Sequence, residues 1–263
     1  MDIHIFSTDP TCFDLADLLP EDDRVTCVVV PSNRKGSEKV QRLTALAESK
    51  KIPVNEHALR SALDKALPPA QAAISWLYSQ IILVQDLRRY SRGILNMHGG
   101  AIPEYRGASV LHWAIINGES EMGITWHELI EEVDAGPIWA KSKIPIPDDS
   151  SAADMRQEMI KEGVRLFPGA WNGFKDKTGN PVYPDLTRGK VWPQRKPKDG
   201  LIGEGWSERK VRDLVRALYP PWPPAFLETQ NGPVYIKRVL GHPEPSAIPY
   251  QTSESTVLYL LPA

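Results

Sequence analysis

The sequence predicts an α/β fold: a Rossmann-like, mostly parallel sheet with helices on both faces, followed by a smaller β-rich C-terminal subdomain. Three observations predict it. Short apolar or β-branched runs (Ile3–Phe6, Arg24–Val30, Ala72–Tyr78) alternate with stretches of helical spacing, the pattern of βαβ units. A chain of 263 residues that is 41% hydrophobic and 24% charged has the composition of a globular protein with a sizeable core. More than half of the 24 prolines fall after position 180, so the last third favours loops and strands over helices. The expected division is an N-terminal domain at 1–182 and a C-terminal subdomain at 183–263.

The elements follow in order. Ile3–Phe6 reads as a buried strand, and the Ser7-Thr8-Asp9-Pro10-Thr11 run after it lacks the glycine pattern of a dinucleotide site. Phe13–Leu19 fits a brief helix with Thr11 as its cap. Arg24–Val30 is the second strand. Val40, Leu43, Leu46 and Ala47 share one face of the next helix. Ile52–Val54 is extended, Ala58–Leu67 reads as helix, and Ala72–Tyr78 as the central strand. Val84–Tyr90 is a short helix and Ala108–Asn117 a longer one. Met122–Leu129 and Ile138–Ile146 alternate and form a strand pair. Ser151-Ala152-Ala153-Asp154 resembles a capping box and opens a helix to about Phe174. Ser207 caps a basic helix to Leu218. Tyr219–Phe226 is too rich in proline for a helix interior. Asn231-Gly232 is a hairpin turn, and Thr256–Leu260 a last strand.

Chemistry concentrates between Asn96 and Asp134. Asn96 and His98 lie two residues apart after the strand-like Gly93-Ile94-Leu95, so both project to one side of an extended segment. Gly99-Gly100 then ends the strand. An amide and an imidazole thus emerge at a strand's carboxyl end, where open α/β sheets hold ligands. Asp134 lies in the acidic turn Glu131–Gly136 and can fold back to orient or charge the imidazole. An amide donor suits an oxyanion, and an imidazole or an Asp–His pair suits proton transfer. Without a Ser or Cys at a nucleophile elbow, attack by a substrate group fits better than a covalent acyl-enzyme. Each residue alone also fits a structural role: Asn96 as a turn cap, His98 in the core, Asp134 in an Asx turn.

Asn96-x-His98, Pro103-x-Tyr105-Arg106-Gly107, Trp113-Ala114-Ile115-x-x-Gly118-Glu119, Gly123-Ile124-Thr125-x-His127 and Asp134-Ala135-Gly136-Pro137-Ile138 together resemble the folate-dependent formyltransferase family. The resemblance is strong over about 70–175. It is weaker at Arg195–Gly200 and Leu214–Leu218, which resemble the nucleotide-sugar N-formyltransferase branch. Gly99-Gly100-Ala101 departs from it, because many relatives carry Ser-Leu-Leu there, and it leaves less bulk beside His98. The resemblance implies an enzyme with Asn96, His98 and Asp134 as its catalytic triad. It implies 10-formyltetrahydrofolate as donor, held by Trp76, Tyr78, Ile81, Ile82, Val133 and Asp134. Tyr105, Arg106 and Gly107 are expected at the acceptor, and a core-strand role for Trp76–Ile82 stands beside the pterin-pocket reading. His127 has a family counterpart, and a structural role is expected for it.

The expected acceptor is a dTDP-, GDP- or UDP-linked 4-amino-4-deoxy sugar destined for O-antigen or another surface polysaccharide. A net charge of −2 gives no global attraction to nucleic acid, which fits poorly with a polyanionic tRNA. Arg106, Arg195, Lys196 and Arg216 are candidates for diphosphate contact, and Arg34 and Lys35 fit a solvated loop. Methionyl-tRNA or hydroxyornithine as acceptor, or a non-catalytic folate or nucleotide-sugar binding protein, are the alternatives. No metal is required, because polarising donors suffice. Two cysteines, Cys12 and Cys27, imply neither a disulfide framework nor a zinc cluster. With no leader or membrane-length apolar run, a cytoplasmic enzyme is expected, free of membrane, with a homodimer possible through the Trp-rich C-terminal subdomain.

Overall fold

The computed structural model describes residues 1–218 and 222–263. Tyr219, Pro220 and Pro221, the start of the proline-rich run, lie outside the described residues. Along the chain come β1 (Asp2–Ser7), α1 (Cys12–Ala16), β2 (Arg24–Pro31), α2 (Glu38–Ser49), β3 (Val54–His57) and β4 (Ala72–Trp76). Then follow α3 (Val84–Leu87), β5 (Gly93–His98), β6 (Tyr105–Gly107), α4 (Val110–Ile116), β7 (Glu121–Glu128) and β8 (Ile138–Pro145). The rest comprises α5 (Ala152–Asp176), β9 (Lys190–Trp192), α6 (Glu208–Ala217), β10 (Ala225–Thr229), β11 (Gly232–Leu240), β12 (Ile248–Gln251) and β13 (Val257–Pro262).

The chain divides into two compact units. One comprises Met1–Glu104, Ile124–Ser142 and Lys161–Gly189; the other comprises Tyr105–Gly123, Lys143–Ile160 and Lys190–Ala263. Among the described residues no helix is long and apolar enough to cross a membrane.

A seven-stranded sheet runs in the order β3-β2-β1-β4-β5-β7-β8. The pairs β2–β3, β1–β2, β1–β4 and β4–β5 are parallel, while β7 runs antiparallel to β5. This is the expected mostly parallel sheet, and the strand order reverses between β1 and β4, a switch point of the kind that creates a ligand crevice. Buried side chains run continuously along the central strands because both faces are covered: Ala72–Trp76 are buried without exception. Trp76 stacks on Trp126 with ring centres 5.7 Å apart, and Phe167 and Trp171 of α5 continue the aromatic core. Full burial of rings this size contributes roughly 1.5–3 kcal/mol each. Cys12 and Cys27 are free thiols in that core.

In the first unit two local expectations change. Ala58–Leu67 forms turns rather than a helix. The buried Asp86 carboxylate takes the Leu63 backbone N–H at 3.2 Å, and Pro68-Pro69 bars helical continuation. Thr11 precedes α1 without a side-chain cap bond; its hydroxyl instead accepts from Trp76 Nε1 at 2.9 Å.

In the second unit, α4 packs on α6. Ser207 caps α6 by accepting from Lys210 N–H, and Val211, Leu214 and Val215 turn inward. A four-stranded antiparallel sheet, β10-β11-β13-β12, supplies the expected β-rich C-terminal part; the hairpin turn falls at Gln230-Asn231, one residue before the expected Asn231-Gly232, because Gly232 pairs with Thr229 as the first residue of β11. A small parallel pair joins β6 to β9.

Candidate active site

β5 carries Asn96 and His98 on one side of the strand, and its register sets Asn96 opposite His127 and His98 opposite Thr125. His98 is buried and Asn96 half-buried. The third group arrives from the loop after β7. Asp134 adopts a φ of +46°, a left-handed conformation that Asp accepts more readily than most residues. Gly136 lets this loop close: a Cβ there would lie 1.9 Å from the Glu128 carbonyl oxygen.

The carboxylate stands between two imidazoles. Asp134 Oδ2 is 3.5 Å from His98 Nδ1, and Oδ1 is 3.4 Å from His127 Nε2. The two rings meet edge to face, 6.2 Å apart. His127 is fully buried; its Nδ1–H donates to the Glu128 carbonyl at 3.1 Å, so Nε2 accepts from Asn96 Nδ2 at 3.1 Å. The amide is thereby fixed, with a second N–H to offer elsewhere. A carboxylate beside His98 Nδ1 favours the tautomer protonated there and leaves Nε2 as the basic atom. The arrangement offers a donor, a base and an orienting charge within one unit. His127, which no spacing rule ties to Asn96, is the member that sequence reasoning cast as merely structural; its signal is the Thr-x-His alternation opposite Asn-x-His.

The other expected residues are distributed as follows. Trp76 is wholly buried, so it belongs to the core. Tyr78 is half-buried; its hydroxyl donates to His57 Nδ1 at 2.6 Å, and burial pushes its own ionisation well up. Ile82 is buried, whereas Ile81 is 75% and Val133 48% exposed, giving two apolar side chains open to a ligand's rings. Tyr105, Arg106 and Gly107 form β6 in the second unit. The Tyr105 hydroxyl donates to Glu119 at 2.8 Å and accepts from Asn117 at 3.0 Å, its ring stacks on Trp192, and burial raises its ionisation to about 12. Arg106 is buried, and Gly107 has φ +95° with Trp192 O 2.4 Å from where a Cβ would stand. Arg195 donates to the Lys196 and Pro223 carbonyls, and Lys196 gives its backbone N–H to Asp199.

The sequence model of the formyl transferase family matches residues 15–171, more than half the chain. The chain belongs to the formyl transferase family. Solved structures share the architecture of this formyl transferase. WlaRD, a sugar 3N-formyl transferase solved in the presence of dTDP and 5-N-formyl-THF, superposes with a TM-score of 0.75 at 16% identity, covering 100% of this chain and 97% of its own. A 4-N formyltransferase from Francisella tularensis gives 0.74 at 18% identity, covering 90% and 96%. The N-formyltransferase from Helicobacter canadensis, in complex with folinic acid and dTDP-3-aminofucose, gives 0.72 at 15% identity, covering 100% and 99%. At these identities the likeness is one of fold.

Proposed function

We propose that this formyl transferase moves a formyl group from 10-formyltetrahydrofolate to the amino group of a nucleotide-linked 4-amino-4-deoxy sugar. The observation that carries the reading is the convergence of Asn96, His98 and Asp134 at the end of β5 in a chain of this family. Structures of sugar N-formyltransferases that match nearly the whole chain support the class of acceptor. We assign the chemistry to 1–182, and a supporting role with pairing of two chains to 183–263. The reaction is placed in the cytoplasm, and its product in surface polysaccharide.

The donor is a substrate whose apolar rings suit the exposed Ile81 and Val133 and the half-buried Leu77 and Tyr78. The acceptor amine attacks the formyl carbon, and negative charge develops on the formyl oxygen. The free N–H of Asn96 is the donor for that oxygen, and His98 Nε2 joins it once protonated. The ammonium proton leaves to His98 or Asp134, and the folate nitrogen takes a proton as the carbon–nitrogen bond breaks. Tyr105, Arg106 and Gly107 are proposed to face the acceptor through backbone and ring surfaces, since the Tyr105 hydroxyl is already engaged.

The test is tetrahydrofolate formation with dTDP-, UDP- and GDP-linked 4-amino sugars, beside the 3-amino sugars, methionyl-tRNA and hydroxyornithine. Turnover confined to nucleotide 4-amino sugars is expected. Turnover with tRNA or hydroxyornithine alone would replace the acceptor. Donor binding without turnover for any amine would make the chain a binding protein.

A further inference from the structure

A cavity of about 510 Å³ lies within the second unit, inside the size range of small-molecule sites. Helix α6 braces it through two arginines. Arg212 pairs with Glu208 at 2.7 Å and donates to the Val239 carbonyl of β11 at 3.1 Å. Arg216 pairs with Asp213 at 2.8 Å and donates to the Pro147 and Ser150 carbonyls at 2.9 and 3.0 Å. These bonds tie α6 to both walls, the 147–154 segment and β11. Glu208 and Asp213 balance the two arginines, so the walls set the character of the cavity.

The walls carry opposite charge. Lys237 and Arg238 line it from β11, Asp148 and Asp149 from the segment before α5, and all four are exposed. None of the four has an ion-pair partner among the described residues. Val215, Val239 and Ala153 supply apolar surface between them. The Arg216 side chain is only 10% exposed, yet its Nη2 has no hydrogen-bond partner among the described residues, an unsatisfied charged donor in a residue lining the cavity.

We propose that this cavity binds a small zwitterion bearing a primary amine and a phosphate, of the size and charge of an amino-sugar phosphate. The phosphate pairs with Lys237 and Arg238, the ammonium with Asp148 and Asp149, and the ring lies on Val215 and Val239. Acylating the amine removes one of the two charges the walls recognise. None of these residues belongs to the Asn96, His98 and Asp134 centre, and the assignment does not rest on formyl transfer.

Isothermal titration of the full chain with glucosamine 1-phosphate, N-acetylglucosamine 1-phosphate and inorganic phosphate tests it. The amine form is expected to bind about tenfold more tightly than the acetylated form, as a charged contact requires. Asp148→Asn with Asp149→Asn should erase that preference. Lys237→Glu with Arg238→Glu should weaken the amino-sugar phosphate about tenfold or more. These side chains are exposed, and circular dichroism checks that the variants stay folded. No binding of any probe at millimolar concentration, equal binding of amine and acetylated forms, or affinities indifferent to both double variants would overturn it.

Discussion

Asp134 reaches His98 through Oδ2 and Nδ1 at 3.5 Å while its other oxygen sits 3.4 Å from His127. One carboxylate therefore orients a strand-end imidazole and abuts the ring that holds Asn96. Asp134→Asn separates charge from shape, because Asn also tolerates the +46° backbone angle. We expect kcat for formyl transfer to fall by about 100-fold or more, with the fold intact. Steady-state kinetics beside circular dichroism measures it; a change within about twofold would remove the carboxylate from the mechanism.

Gly136 tests the loop rather than the group. The methyl of Gly136→Ala would stand 1.9 Å from the Glu128 carbonyl oxygen, so the turn must move and carry Asp134 with it. The expected cost is about 1–3 kcal/mol of stability, together with a loss of kcat larger than the loss of donor affinity. Chemical denaturation and donor titration separate the two effects.

Much of this was legible, and the exceptions are physical. The period of two along Asn96-x-His98 placed both groups on one side of a strand. The Ser151–Asp154 box forms as the pattern implies, with the Ser151 hydroxyl donating to Asp154 at 2.6 Å. What escaped depends on long-range pairing. Helical spacing at Ala58–Leu67 loses to one buried carboxylate, Asp86, that captures the Leu63 N–H. The pairing of Tyr105 with Lys190 and of Asn96 with His127 joins residues that no local pattern connects. Aromatic character alone did not tell whether Trp76 faces a ligand or the core; a fully covered sheet sends its indole inward.

His112 gives a pH prediction. The ring is buried against Trp222, and burial, then the Arg195 charge, lowers its pKa to about 4. A folded value below the unfolded 6.5 means the unfolded chain binds the proton more readily. Its contribution is complete above about pH 6.5 and fades as pH falls toward 4. His112→Phe keeps the ring contact without the titration. The variant should lose less thermal stability than wild type between pH 7 and pH 5, read as the difference in Tm; equal losses would contradict it.

Asp23 anchors the last aromatic layer of the first unit. Its carboxylate accepts from Trp171 Nε1 at 2.8 Å and pairs with Lys175 at 3.0 Å. Burial alone would raise its pKa, yet the Trp171 and Lys175 hydrogen bonds outweigh it and hold it below the usual carboxylate range. Its contribution is present above the ordinary carboxylate pKa and lost as acid reaches the depressed folded value. Asp23→Ala should cost about 2–3 kcal/mol at neutral pH by leaving the buried Trp171 N–H without its acceptor and the half-buried Lys175 without its counter-charge. Urea denaturation checks it, and a cost below about 1 kcal/mol would show the contacts to be incidental.

The most direct measurement is single-turnover formation of tetrahydrofolate by His98→Asn beside wild type, with donor and a nucleotide-linked amino sugar both saturating. His98 carries the atom to which Asp134 turns and stands two residues from the Asn96 amide. The account predicts intact donor binding and a chemical step slowed by about 100- to 10,000-fold. An unchanged chemical step in a folded His98→Asn protein would contradict it.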